Sequence, residues 1–130
     1  MKKSSEKLKL KLINFKKTLA ALEKSIIAPV EEARDLSGII KDFEIVYEMS
    51  WKTLKLYLQD NGHETKTAKD TFSTAFELRI INDEDVWLEI LSTRNDTVHI
   101  YDENLAKEIV RKIKGSFFNE IKKLFDVLNK

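Results

Sequence analysis

Apolar residues recur along this chain at alternating steps of four and three, and almost nothing interrupts them. Leu8, Leu12, Phe15, Leu19, Leu22 and Ile26 follow the steps 4, 3, 4, 3, 4. On a helix of about 3.6 residues per turn such residues form one continuous stripe. The spacing predicts a helix from about Ser5 to Ala28. Pro29 ends it, because proline lacks the amide donor and clashes with the preceding turn. The rhythm resumes in Leu36, Ile40, Phe43, Tyr47, Ser50, Leu54 and Tyr57, with Ile39, Val46, Trp51 and Leu58 widening the apolar surface. This predicts a second helix over about Glu32 to Asn61. Asn61-Gly62 stops it, since glycine tolerates the left-handed conformation that closes helices.

After the polar stretch GHETKTAKD, a shorter helix is predicted from about Thr67 to Arg79, with Ala68, Phe72, Ala75 and Phe76 inward. NDED follows and offers Asn82 or Asp83 as the cap of a fourth helix running towards residue 98, its acids favoured by the helix dipole. Asp102 can cap a last helix carrying Leu105, Ile109, Ile113, Phe117, Ile121, Leu124 and Leu128. Gly115 inside that helix costs roughly 1 kcal/mol relative to alanine, which points to close approach of a neighbouring helix or subunit. Long helices on short links pack antiparallel. The expected fold is all-α, an antiparallel four- to five-helix up-and-down bundle, with residues 1–130 forming a single domain and 67–79 its short member. The chain holds no internal repeat and no low-complexity linker.

Composition narrows the function classes. A hydrophobic content of 42% is enough for one core, while 35% charged residues, one proline and three glycines favour helix throughout. There is no cysteine, which excludes disulfides, thiol catalysis and cysteine-ligated metal centres. Lysines interrupt the apolar positions of the first seventeen residues, so they lack a signal-peptide core. No apolar run reaches membrane-spanning length. The expectation is a soluble, cytoplasmic protein with no membrane contact. The net charge of +1 gives no global basic field for nucleic acid. Residues 2–17 hold seven lysines and one glutamate, which read as a solvated helix face.

One segment departs from the stripe. In RNDTVHIYDE, residues 94–103, Arg94 takes a position that the steps Trp87, Leu91, Arg94, Val98 mark as inward-facing. Asn95 and His99 share a face if the helix persists that far. Arg94 and His99 lie roughly 140° apart on an ideal helix, and converge only if the helix loosens near residue 98 or a neighbouring chain completes the geometry. Two readings stand. In one, Arg94 reaches an acid on another helix and His99 satisfies a terminal carbonyl. In the other, Arg94 supplies a fork-shaped donor for phosphate oxygens, His99 exchanges protons near neutrality, Asn95 orients either group, and the helix starting near Asp102 adds amide donors for an anion. Tyr101 is either packed beside the loop or an exposed hydroxyl open to modification. His63 lies in a polar loop and reads as a surface residue. Trp51 and Trp87 read as core anchors. HExxH, GxGxxG, GxSxG and Walker motifs are absent, and no residue set specifies a metal.

Arg94-Asn95-x-x-x-His99-x-Tyr101 resembles the Arg-x4-His-x-Tyr signature of HEPN domains, in the subgroup paired with minimal nucleotidyltransferases. WLEIL before the motif, YDE after it and the upstream FELRII also look like that subgroup's nucleotidyltransferase substrate-binding proteins. The resemblance spans essentially the whole chain. It implies a helical bundle that forms a homodimer and a hetero-oligomer, with motif residues of two chains facing a shared cleft. It further implies a metal-independent ribonuclease without cofactor. Arg94 then stabilises the scissile phosphate and His99 moves a proton during attack by the ribose 2′-hydroxyl. Asn95, the polar residue after the arginine, completes the catalytic set. The resemblance makes a separately encoded nucleotidyltransferase the antitoxin, adding AMP to Tyr101. The expected function is the helical subunit of a two-component nucleotidyltransferase system, a ribonuclease toxin neutralised by its partner. A noncatalytic subunit that binds nucleotide or substrate for that partner is the alternative, and a plain helical interaction module is the third class.

Overall fold

The computed structural model describes residues 5–130, so Lys2 and Lys3 of the lysine-rich start lie outside the described residues. Six α-helical segments are present: α1 Glu6–Ile27, α2 Ala33–Asp60, α3 Ala68–Glu77, α4 Glu84–Asp96, α5 Glu103–Lys112 and α6 Phe118–Leu128. A π turn, Ile113–Phe117, joins α5 to α6 without a break. The described residues therefore form an all-helical bundle of five rods.

The helix ends follow from side chains that satisfy free backbone groups. Ser5 caps α1 by accepting from the Leu8 N–H, and Ala28 follows its last residue, next to Pro29. At the start of α2 the Asp35 carboxylate accepts the N–H groups of Glu31 and Glu32 at 2.9 Å each. These donors hold its pKa below the usual carboxylate range. Gly62, at φ 87°, closes α2 with its N–H on the Gln59 carbonyl and the His63 N–H on Leu58. Thr67, Asp83 and Asp102 cap α3, α4 and α5. The third helix ends two residues before the predicted Arg79, because Arg79 itself takes a left-handed φ of 61°. The Ile80 and Arg79 N–H groups then bond the Ala75 and Phe76 carbonyls, a paired closure usually built on glycine.

Helices α1 and α2 form an antiparallel hairpin. Ser5 bonds Asp60 at 2.7 Å at one end, and Ser25 bonds Asp42 towards the other. The predicted stripes face inward: Leu8, Leu12, Phe15, Leu19 and Leu22 of α1 meet Leu36, Ile40, Phe43, Tyr47 and Leu54 of α2 in one core. Ser50 fits the stripe because its buried hydroxyl donates to the Tyr47 carbonyl at 2.8 Å. Aromatic rings link the remaining helices to this hairpin. Phe117 stacks on Phe43, Phe43 touches Tyr47, Tyr47 touches Phe72, and Phe72 stacks on Trp87 at 4.7 Å. This chain fixes α4 against α2 and α3. Trp87 is the core anchor the sequence suggests, whereas Trp51 is only half-buried.

The π turn has a readable cause. Leu105, Ile109, Ile113, Phe117 and Ile121 are spaced by four at every step, and each such step turns about 40° past a full helical circle. Left alone, the stripe would rotate off the core. One wide turn, closed by the Phe118 N–H on the Ile113 carbonyl, brings Ile113, Phe117 and Ile121 back inside. Gly115 sits in this turn, and a methyl group added there would meet nothing within 4 Å. The expected close approach of a helix of the same chain is therefore absent. Glycine here sits in the wide turn. No helix of the described residues is long and apolar enough to cross a membrane.

Candidate functional site

The segment 94–102 is a helix end, a tight turn and a cap in succession. α4 ends at Asp96, and Thr97–His99 form one 3-10 turn. The backbone tightens where convergence of Arg94 and His99 required it to loosen. No hydrogen bond or ion pair joins those two side chains among the described residues. Asn95 and His99 likewise do not share a face of one α-helix, since that helix has ended.

Arg94 crosses to α2. Its Nη1 lies 3.2 Å from Glu44 Oε2, with both side chains 28% exposed. The same nitrogen donates to the Thr97 hydroxyl at 3.0 Å, and that hydroxyl donates to the Arg94 carbonyl at 2.8 Å. Thr97 thus ties the arginine side chain to its own helix end. Nε is buried without a partner, and Nη2 makes no protein hydrogen bond among the described residues. The guanidinium charge also reaches Tyr47. Burial pushes the Tyr47 phenol up and Glu48 adds to this, while Arg94 pulls it back.

His99 and Tyr101 form a second cluster. The imidazole Nδ1 is 3.2 Å from the Tyr101 hydroxyl, and the rings stand edge to face at 5.8 Å. His99 bonds this hydroxyl instead of a terminal carbonyl. Tyr101 is 84% exposed and Asn95 is exposed. Asp102 accepts the N–H groups of Asn104 and Leu105, so the start of α5 is already capped. His63 is exposed, in the link between α2 and α3. Among the described residues no three His, Asp or Glu side chains converge on a point that could hold a metal ion. A surface groove of about 740 Å³ lies between the start of α4 and α6 and is lined by none of Arg94, Asn95, His99 or Tyr101.

The arrangement holds an arginine fixed through Nη1, with Nε and Nη2 unpaired among the described residues, and, one turn further along the chain, a solvent-facing histidine–tyrosine pair. A model of the family described as nucleotidyltransferase substrate binding protein like matches residues 10–130. This chain belongs to that family. Among proteins similar to this member of the substrate-binding-protein-like family is one from Haemophilus influenzae named probable ribonuclease HepT. It is 32% identical over 83 residues, which cover 60% of this chain and 57% of that protein. The chain thus spans little more than half the length of that relative. A crystal structure from Thermus thermophilus is 27% identical, with a TM-score of 0.83 over 89% of this chain and 99% of that one. A Haemophilus influenzae structure described as the fold of a substrate-binding domain of a nucleotidyltransferase is 26% identical. Its TM-score is 0.82 over 92% of this chain and 99% of the other.

Two residues around the motif of this family member, Glu44 and Thr97, escape sequence reasoning. The inward position of Arg94 implies an acid opposite it, but Asp42, Glu44 and Glu48 all follow the apolar face of α2, and nothing local ranks them. Thr97 is an ordinary helix-end threonine in sequence, and its double bond to Arg94 depends on the 3-10 turn.

Proposed function

We propose that this chain is the helical partner subunit of a two-component nucleotidyltransferase system, and that it acts as a metal-independent ribonuclease toxin. The observation that carries the reading is the 3.2 Å contact between His99 Nδ1 and the exposed Tyr101 hydroxyl, one turn beyond Arg94. Family membership and likeness to a probable ribonuclease support it. In this reading, Arg94 Nη2 holds a non-bridging oxygen of the scissile phosphate. His99 accepts the ribose 2′-hydroxyl proton as that oxygen bonds to phosphorus. The bond from phosphorus to the 5′-oxygen breaks and that oxygen leaves with a proton from water, giving a 2′,3′-cyclic phosphate and a 5′-hydroxyl. Asn95 contacts the phosphate or the imidazole. Two copies face each other, which places the motif residues of both in one cleft. The exposed Val98 and Leu88 beside the motif supply apolar area for that pairing.

Tyr101 is the switch. The nucleotidyltransferase joins the α-phosphate of ATP to the tyrosine oxygen, the phenolic proton departs and pyrophosphate leaves. The added anion then stands against His99 and occupies the space that RNA phosphate needs. One observation favours a second reading, a noncatalytic subunit that binds nucleotide for the partner: Arg94 is already paired with Glu44, so it is not a bare cation.

The test is incubation of the purified chain with RNA in EDTA, beside Arg94→Ala and His99→Ala forms. Cleavage by the native protein, lost in both variants, supports the toxin. Binding of ATP or partner without any cleavage selects the noncatalytic subunit.

A further inference from the structure

The first two turns of α1 and the last turns of α2 enclose a shallow groove of about 390 Å³. Lys7, Lys11, Lys52 and Lys55 line it, with Leu10 and Leu56. No acid lines the groove among the described residues. Lys52 pairs with Glu48 at 3.5 Å, while Lys7, Lys11 and Lys55 take no ion-pair partner among the described residues. Leu10 is 62% exposed and Leu56 half-buried. Four ammonium groups around two leucines form an amphipathic surface with no occupant among the described residues.

We propose that this groove docks an acidic amphipathic segment of the nucleotidyltransferase, a surface separate from the Arg94–Tyr101 motif. The inference rests on the partner named in the proposed function. Leu10 and Leu56 offer apolar contact to a helix laid in the groove, and the lysines pair with carboxylates on its flanks. From Lys7 to Asn14 the groove runs roughly 10 Å along α1, about two turns of a docked helix. RNA fits less well. No aromatic ring lines the groove to stack a base. A strand leading from Arg94 along α2 to Lys52 passes Glu44 and Glu48, whose charges repel phosphate.

The experiment is calorimetric titration of the full chain with the purified cognate nucleotidyltransferase, at low and high salt. The groove form is Lys11→Glu with Lys55→Glu, a second form is Leu10→Ser, and Lys16→Glu with Lys17→Glu is the control outside the groove. The proposal expects the groove form to bind roughly tenfold or more weakly, Leu10→Ser to weaken binding as well, and the control to bind as the native chain does. All three should keep the native circular dichroism and RNA cleavage. Undiminished binding by the folded groove form overturns the docking site and leaves the toxin reading intact. Loss of affinity for single-stranded RNA with partner binding retained also overturns it. A native chain that forms no complex overturns both the docking site and the partner reading, whereas a native chain that binds but cleaves no RNA overturns only the toxin.

Discussion

Arg94 of α4 and Glu44 of α2 form a 3.2 Å ion pair that places the motif arginine against the long hairpin. Thr97 holds the same nitrogen from the other side. The arginine is therefore oriented by Nη1, with Nη2 and the buried Nε unpaired among the described residues. Glu44→Gln keeps the shape and removes the charge. Both partners are partly exposed, so solvent screens the attraction, and the expected loss of stability is about 1 kcal/mol. In a chain of this size that lowers Tm by roughly 4 °C. A double-mutant cycle with Arg94→Ala, read by thermal melting, should return a coupling of similar size; additive losses would show that the pair is idle.

His99 and Tyr101 should behave differently, because both are exposed and support no core. In the proposed function His99→Ala reduces RNA cleavage roughly 100-fold or more with Tm unchanged. Tyr101→Phe retains cleavage but accepts no AMP, so mass spectrometry after incubation with the nucleotidyltransferase and ATP shows no adduct. Continued modification of the Phe form at another residue would move the switch away from Tyr101.

Tyr47 makes stability depend on alkaline pH. Burial and then the Glu48 charge raise its phenol above the ordinary value of 10.0. A group whose folded pKa is raised contributes stability that is complete below the unfolded pKa and lost as pH rises through the folded one. The urea midpoint should thus fall above about pH 10 more steeply for the native chain than for Tyr47→Phe. Parallel slopes in the two proteins would contradict this.

Arg79 carries a left-handed φ of 61° where helix closures use glycine. A side chain there costs about 1 kcal/mol, and the backbone bonds of Ile80 and Arg79 need only the conformation. Arg79→Gly should therefore raise stability by about 1 kcal/mol, measured as a higher urea midpoint at unchanged slope. A loss of stability would mean that the arginine side chain makes a contact outweighing the strain.

Much of this fold is written locally. In α1 and α2 the four-three steps marked which residues face inward, whereas on α4 they also marked Val98, which is 67% exposed. Ser5, Pro29, Gly62, Asn82 or Asp83, and Asp102 marked where helices begin and end. These signals are legible because burial and capping depend on residues within a turn or two of each other. The same holds for Arg94, Asn95, His99 and Tyr101, whose spacing carries a family resemblance together with the flanking WLEIL, YDE and FELRII. The uniform steps of four before Ile121 held a local signal too, since they demand the wide turn at Ile113–Phe117.

Other features came only from the packed structure. Periodicity says that Arg94 points inward but cannot say which acid it meets, since that depends on the rotation and axial offset of α4 against α2. The aromatic chain from Phe117 through Phe43, Tyr47 and Phe72 to Trp87 sets both, and the outcome is Glu44 rather than Asp42 or Glu48. The turn at Thr97–His99 then separates the guanidinium from the imidazole and turns His99 to Tyr101. The sequence by itself determined the helices, their starts and the members of the motif, because those rest on neighbouring residues, while the ends of α3 and α4 fell about two residues short of the periodic pattern. Tertiary packing decided which partners the motif residues hold, because a contact between helices depends on how every intervening side chain fills the core.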